Sequence, residues 1–172
     1  MSDSFDFRNA SHFTAGAIGE PGRRVFFLQA GDQHQHVSFK LEKQQAIALA
    51  TFLRTVLDDL PTPEGEPQPI ALVNPVEPQW VVGQIAVGTA EPGEIMILVE
   101  ELVITDEGDD EDDDNSFDEF DDRGARCTAN ITIAQAANFI RTVDELVSQS
   151  RPPCRICGGP LDPDGHVCPR LN

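Results

Sequence analysis

FTAGAIGEPGRRVFFLQAGDQHQHVSFKLEKQQAIALATFLRTVLDDL, residues 13–60, changes its hydrophobic period partway along, and that change decides the fold. Glu20-Pro21-Gly22 is turn chemistry, because proline presets φ and glycine accepts a positive φ. The VFFLQ that follows is short, apolar and rich in β-branched and aromatic residues, as a buried strand requires. GDQHQ is a second polar turn. HVSFKL then alternates, with Val37, Phe39 and Leu41 on one face. From there the period lengthens: Ala46, Leu49, Ala50, Leu53, Val56, Leu57 and Leu60 recur at helical spacing. The segment reads as three strands and then a helix.

A second segment repeats the plan. WVVGQIAVGTAEPGEIMILVEE at 80–101, ARCTANIT at 125–132 and IAQAANFIRTVDELV at 133–147 again give three strands and a helix, with Thr132 as the helix N-cap. In the helix, Ile133, Ala136, Ala137, Ile140, Val143 and Val147 form one stripe. Short strings match between the halves. Gly16 and Ile18 align with Gly83 and Ile85, Glu20-Pro21-Gly22 with Glu91-Pro92-Gly93, and Phe52-Leu53-Arg54-Thr55-Val56 with Phe139-Ile140-Arg141-Thr142-Val143. The expected architecture is α+β: duplicated βββα units, about six strands and two helices, sharing one core because half of such a domain is too small to stand alone. Residues 1–150 form this domain, with halves at about 12–60 and 79–149.

Between the halves, residues 61–78 carry six prolines, which forbid a long helix or a central strand and predict an extended surface linker. The formal net charge is −18, and twelve of the acids fall between Asp106 and Asp122. Such a block repels itself and stays solvated, so residues 105–123 read as a disordered acidic insertion. No run approaches the ~20 apolar residues needed to span a bilayer, and MSDSFDFRNASHF has neither the basic nor the apolar part of a signal peptide. A cytoplasmic protein with no membrane partner is expected. In that reducing compartment clustered cysteines favour metal over disulfides.

The cysteines do cluster. Residues 151–172 form a tail, set off by Arg151-Pro152-Pro153, that holds three of the four cysteines. Cys154 and Cys157 have the C-x₂-C spacing of a metal knuckle, and Gly158-Gly159 suit its tight turn. Asp162-Pro163-Asp164-Gly165 can reverse the chain and return His166 and Cys168, which share one side of an extended segment. Cys154, Cys157, His166 and Cys168 complete a four-ligand, closed Zn²⁺ site of the structural kind. Metal binding supplies the free energy that so few apolar residues cannot. Cys127, in a predicted strand, reads as a small buried hydrophobe.

No nucleophile elbow, phosphate loop or zinc-protease helix occurs, and no catalytic constellation is found. The leading expectation is a non-enzymatic binding or adaptor protein. Its acidic loop would dock on a protein partner with a basic surface, Phe117 and Phe120 serving as apolar anchors. Nucleic-acid binding through the zinc tail, with Arg151, Arg155 and Arg170, is an alternative that the charge disfavours. A weaker one is an enzyme with its site between the halves near Arg24, His34 and His36.

The two ends of the chain together resemble a mainly actinobacterial family catalogued as a domain of unknown function. The resemblance rests on Gly19-Glu20-Pro21-Gly22, Arg24, Phe26, Leu28-Gln29-Ala30, Leu41-Glu42-Lys43 and Gln45, and on CRICGGPLDPDGHVCPR in the tail. Arg155 stands where proline is common in that family. The resemblance covers nearly the whole chain and implies a cytoplasmic protein with a zinc-ribbon-like tail.

Overall fold

The computed structural model describes residues 2–104, 124–149, 154–159, 161 and 166–171; the acidic insertion lies outside them. The elements are β1 (Phe5–Phe7), β2 (His12–Ile18), β3 (Val25–Gly31), β4 (His36–Leu41), α1 (Lys43–Asp58), β5 (Pro78–Thr89), β6 (Glu94–Glu101), β7 (Arg126–Thr132) and α2 (Ile133–Ser148). They form a mixed α+β fold with one sheet, ordered β1-β7-β6-β5-β4-β3-β2. Each unit is an antiparallel three-stranded ladder followed by a helix, and β4 and β5 join the units in parallel.

The sheet coils until its ends meet. β1 and β2 lie at opposite edges, yet only residues 8–11 separate them. Five Cα steps reach at most about 18 Å, whereas six strand spacings in a flat sheet cover about 29 Å. Neighbouring residues staple the closure: Ala10 N–H donates to the Asn130 carbonyl on β7 at 3.2 Å, and Ser11 N–H to the Gly31 carbonyl on β3 at 3.0 Å.

This explains why seven strands stand where six are expected. Asp6 of β1 pairs with Thr128 in parallel, as Pro78 of β5 pairs with Ser38. β1 and β2 therefore do together what β5 does as one long strand. In β5 the corresponding irregularity is a bulge between Val82 and Gln84. Gly83 sits there, where a Cβ would come within 2.9 Å of Leu102 Cα.

Ladder register places the matching strings at different positions in the two strand–helix segments. Phe39 and Ala129 each stand three residues before a helix N-cap, Glu42 and Thr132. Their rows run Ala15–Leu28–Phe39 and Val87–Ile97–Ala129, so the residue placed like Gly16 is Gly88, not Gly83. The Phe52 and Phe139 strings are likewise offset by three residues, close to one turn, which keeps the apolar stripes in phase.

Both helices start alike. Gln45 Oε1 accepts Glu42 N–H at 2.8 Å, and Gln135 Oε1 accepts Thr132 N–H at 2.7 Å. The amide nitrogens then reach the sheet: Gln45 to the Val82 and Gly83 carbonyls, Gln135 to that of Ala10. A single core joins Leu49 and Leu53 of α1, Phe139 and Val143 of α2, and the inward residues of the strands, with Phe13 and Phe139 rings 5.1 Å apart. Phe139 is fully buried, whereas Val147, expected in the α2 stripe, is 37% exposed.

The proline-rich linker is a strap with its own seat. Thr14 Oγ1 donates to the Ile70 carbonyl at 2.6 Å, and Ile70 N–H donates to Thr142 Oγ1 at 2.9 Å. Gln68 N–H donates to Asn138 Oδ1 at 2.8 Å. Gln29 holds both backbone groups of Val73, and its Nε2 also donates to Ser38 Oγ. Among the described residues the buried polar side chains are Thr14, Gln29, Ser38 and Thr142. All four serve this seat, as the rule that buried polar groups find partners requires.

Candidate metal centre

The first half of the tail site is a compact turn. Gly158 N–H donates to the Cys154 carbonyl at 2.8 Å, and Cys154 N–H to that of Gly159 at 2.6 Å. Gly158 has φ +74°, a left-handed conformation that glycine adopts without strain. His166 and Cys168 return beside it, with Cys157 Sγ 3.6 Å from His166 Nε2. Arg170 Nη1 ties the end of the tail back to the Ile156 carbonyl at 3.2 Å.

The ligand atoms of Cys154, Cys157, His166 and Cys168 all lie within 4.8 Å of one another, close enough to hold one metal ion. Bonds of about 2.3 Å to sulfur and 2.0 Å to nitrogen at tetrahedral angles place sulfur and nitrogen about 3.5 Å apart. The Cys157–His166 separation meets that value. Cys154 and Cys168 are buried.

The electrostatics favour thiolate at one end of the set. The backbone N–H groups of Cys157 and Ile156 bring the Cys154 thiol down to about 6. At Cys157 the Gly159 N–H pulls the same way, but partial burial and bonds shared with Cys154 and Cys168 leave that thiol raised. Cys127 is a different case. It is buried in β7, and burial, with the Asp6 charge adding to it, pushes its thiol up to about 12. That matches its reading as a small apolar side chain.

The other residues singled out from sequence do not converge. His36 pairs with Gly31 at one end of β3, and Arg24 precedes Val25 at the other, so about 20 Å of strand separates them. No site joining Arg24 to His34 and His36 exists. His36 instead meets His12, which sequence reasoning passed over, with ring centroids 4.9 Å apart. The signal was the strand pattern, since His12, Gly31 and His36 fall in one row. Clefts open beside both helices. One, of about 500 Å³, lies between β2, the strap and α2, with Thr142 and Glu145 among its walls. Another, about 480 Å³, lies between α1 and β5 and is lined mainly by apolar residues such as Leu49, Phe52 and Val87. Among the described residues no helix is long and apolar enough to cross a membrane.

A family model described as "Protein of unknown function (DUF3090)" matches residues 5–168. The chain belongs to the DUF3090 family. The matched region runs from the first residue of β1 to Cys168, the last of the four candidate ligands, so the candidate metal centre lies within the region the DUF3090 model covers. No curated protein and no solved structure matches the chain.

Proposed function

We propose that this DUF3090 chain is a non-catalytic binding module whose C-terminal tail is folded by a structural Zn²⁺. The observation that carries the reading is the approach of three sulfurs and one imidazole nitrogen to within 4.8 Å of one another. Soft sulfur with imidazole suits zinc, and four protein ligands leave no open coordination position, the mark of a structural site. The repeated N-cap glutamines and ladder rows support reading the two units as a duplication.

The acidic insertion is the element assigned to partner docking. Its twelve carboxylates suit a basic protein surface, and charge of this density speeds encounter. Affinity capture from cell extract with the full chain, and with residues 106–122 deleted, tests this. A partner that the full chain retains, that salt releases and that the deletion loses supports the assignment; equal capture by both rejects it.

Exposed Arg155 and Arg170 beside the ligand set favour a second reading, nucleic-acid association through the tail. It predicts salt-sensitive retention on single-stranded RNA or DNA that falls when both arginines become glutamine.

A further inference from the structure

His12, Gly31 and His36 form one row across β2, β3 and β4, so all three belong to the same face of the sheet. The middle residue has no side chain, and the His36 ring leans into that space: a Cβ on Gly31 would come within 2.7 Å of His36 Cδ2. The two imidazoles meet edge to face above β3, with centroids 4.9 Å apart and planes at 83°.

The strap settles which nitrogen of His12 is available. Val73 donates its N–H to Gln29 Oε1 at 2.8 Å and accepts from Gln29 Nε2 at 2.9 Å. Turning the amide over would break both bonds, so its orientation is fixed. His12 Nε2 lies 2.8 Å from that same Oε1, which can only accept. His12 Nε2 therefore carries a proton, and in the neutral ring Nδ1 is left with its lone pair. Ring nitrogens that bind metal are oriented in this way, through a hydrogen bond from the other nitrogen to a fixed oxygen. Asp32 follows Gly31 directly and brings a carboxylate to the neighbourhood of His34 and His36. His36 is exposed and His12 half-buried, so the row is open to solvent.

We infer that His12 and His36 form a second, exchangeable metal site for an imidazole-favouring divalent cation, bound through His12 Nδ1 and the His36 ring, with water in the remaining positions. Gln29 is its positioning residue, and Asp32 contributes charge without being a ligand. The site stands apart from the tail in both chemistry and residues: nitrogen with open positions, against sulfur with none.

Ni²⁺ alone is the probe, added to the zinc-loaded full chain and followed by calorimetry and by broadening of the histidine resonances. The expected result is one Ni²⁺ per chain, with His12 and His36 broadened. His36→Gln, an exposed position, should weaken binding at least tenfold, while His34→Ala, on the adjoining turn, should change it less than twofold. Binding that survives His36→Gln, or that follows His34 instead, overturns the proposal, as does no binding. Zinc retained in the tail throughout separates failure of this site from failure of the knuckle.

Discussion

Gln29 holds Val73 by both of its backbone groups, donating to the carbonyl at 2.9 Å and accepting the N–H at 2.8 Å. One buried amide in β3 thus substitutes for a strand partner and fixes a proline-rich segment that has no ladder of its own. Gln29→Ala leaves the buried Ser38 hydroxyl, together with the part-buried Val73 backbone and His12 ring, without these bonds. Stranded buried polar groups cost about 1–3 kcal/mol each, with partial relief from water. The expected loss is about 2–4 kcal/mol by chemical denaturation, with protease cleavage in residues 61–78 accelerated more than elsewhere. Stability within about 0.5 kcal/mol of the parent would show that the strap is held by other contacts.

Leu72 packs into the space that Gly16 leaves open on β2, and a Cβ there would overlap Leu72 Cγ. Gly16→Ala should therefore destabilise by about 1–3 kcal/mol through overpacking. In a Leu72→Ala background the same change should cost less, with a coupling of about 1 kcal/mol or more. Strictly additive effects would place the strap away from Gly16 in solution.

Cys127 offers a pH test. Its thiol has an ordinary value of 9.0 and stands at about 12 in the folded chain. The unfolded chain therefore loses this proton first. The contribution is fully present below pH 9 and declines as pH rises from 9 towards 12, by up to about 1.4 kcal/mol per unit. Cys127→Ala should lose stability less steeply over that range than the parent; the tail thiols titrate in both proteins and cancel in the comparison. Parallel curves would contradict the burial of Cys127.

Much of the domain can be read from sequence because its signals are local. The two Glu-Pro-Gly turns, the alternation of HVSFKL and the cap at Thr132 each lie within a few residues, and β4 and the start of α2 fall where those signals place them. The tail is legible for the same reason, since C-x₂-C and H-x-C are local spacings. What escapes is what depends on distant partners. β1 is only three residues long, and it is a strand because Cys127, Thr128 and Ala129 pair with it and because Phe5 meets Phe39. The strap seat joins Thr14 to Ile70 and Gln29 to Val73 across more than forty residues, so nothing near either partner announces it. The match of Gly16 to Gly83 misled because the two glycines answer different demands: room for Leu72 at one, and a bulge against Leu102 at the other.

Everything proposed for the tail depends on Cys154, Cys157, His166 and Cys168 holding one zinc ion. The direct test is metal content per chain, by elemental analysis, of the full-length protein purified without chelators, beside a Cys154→Ser, Cys157→Ser form. Close to one zinc is expected in the first and almost none in the second. Full-length protein without zinc, or equal zinc in both, would contradict it.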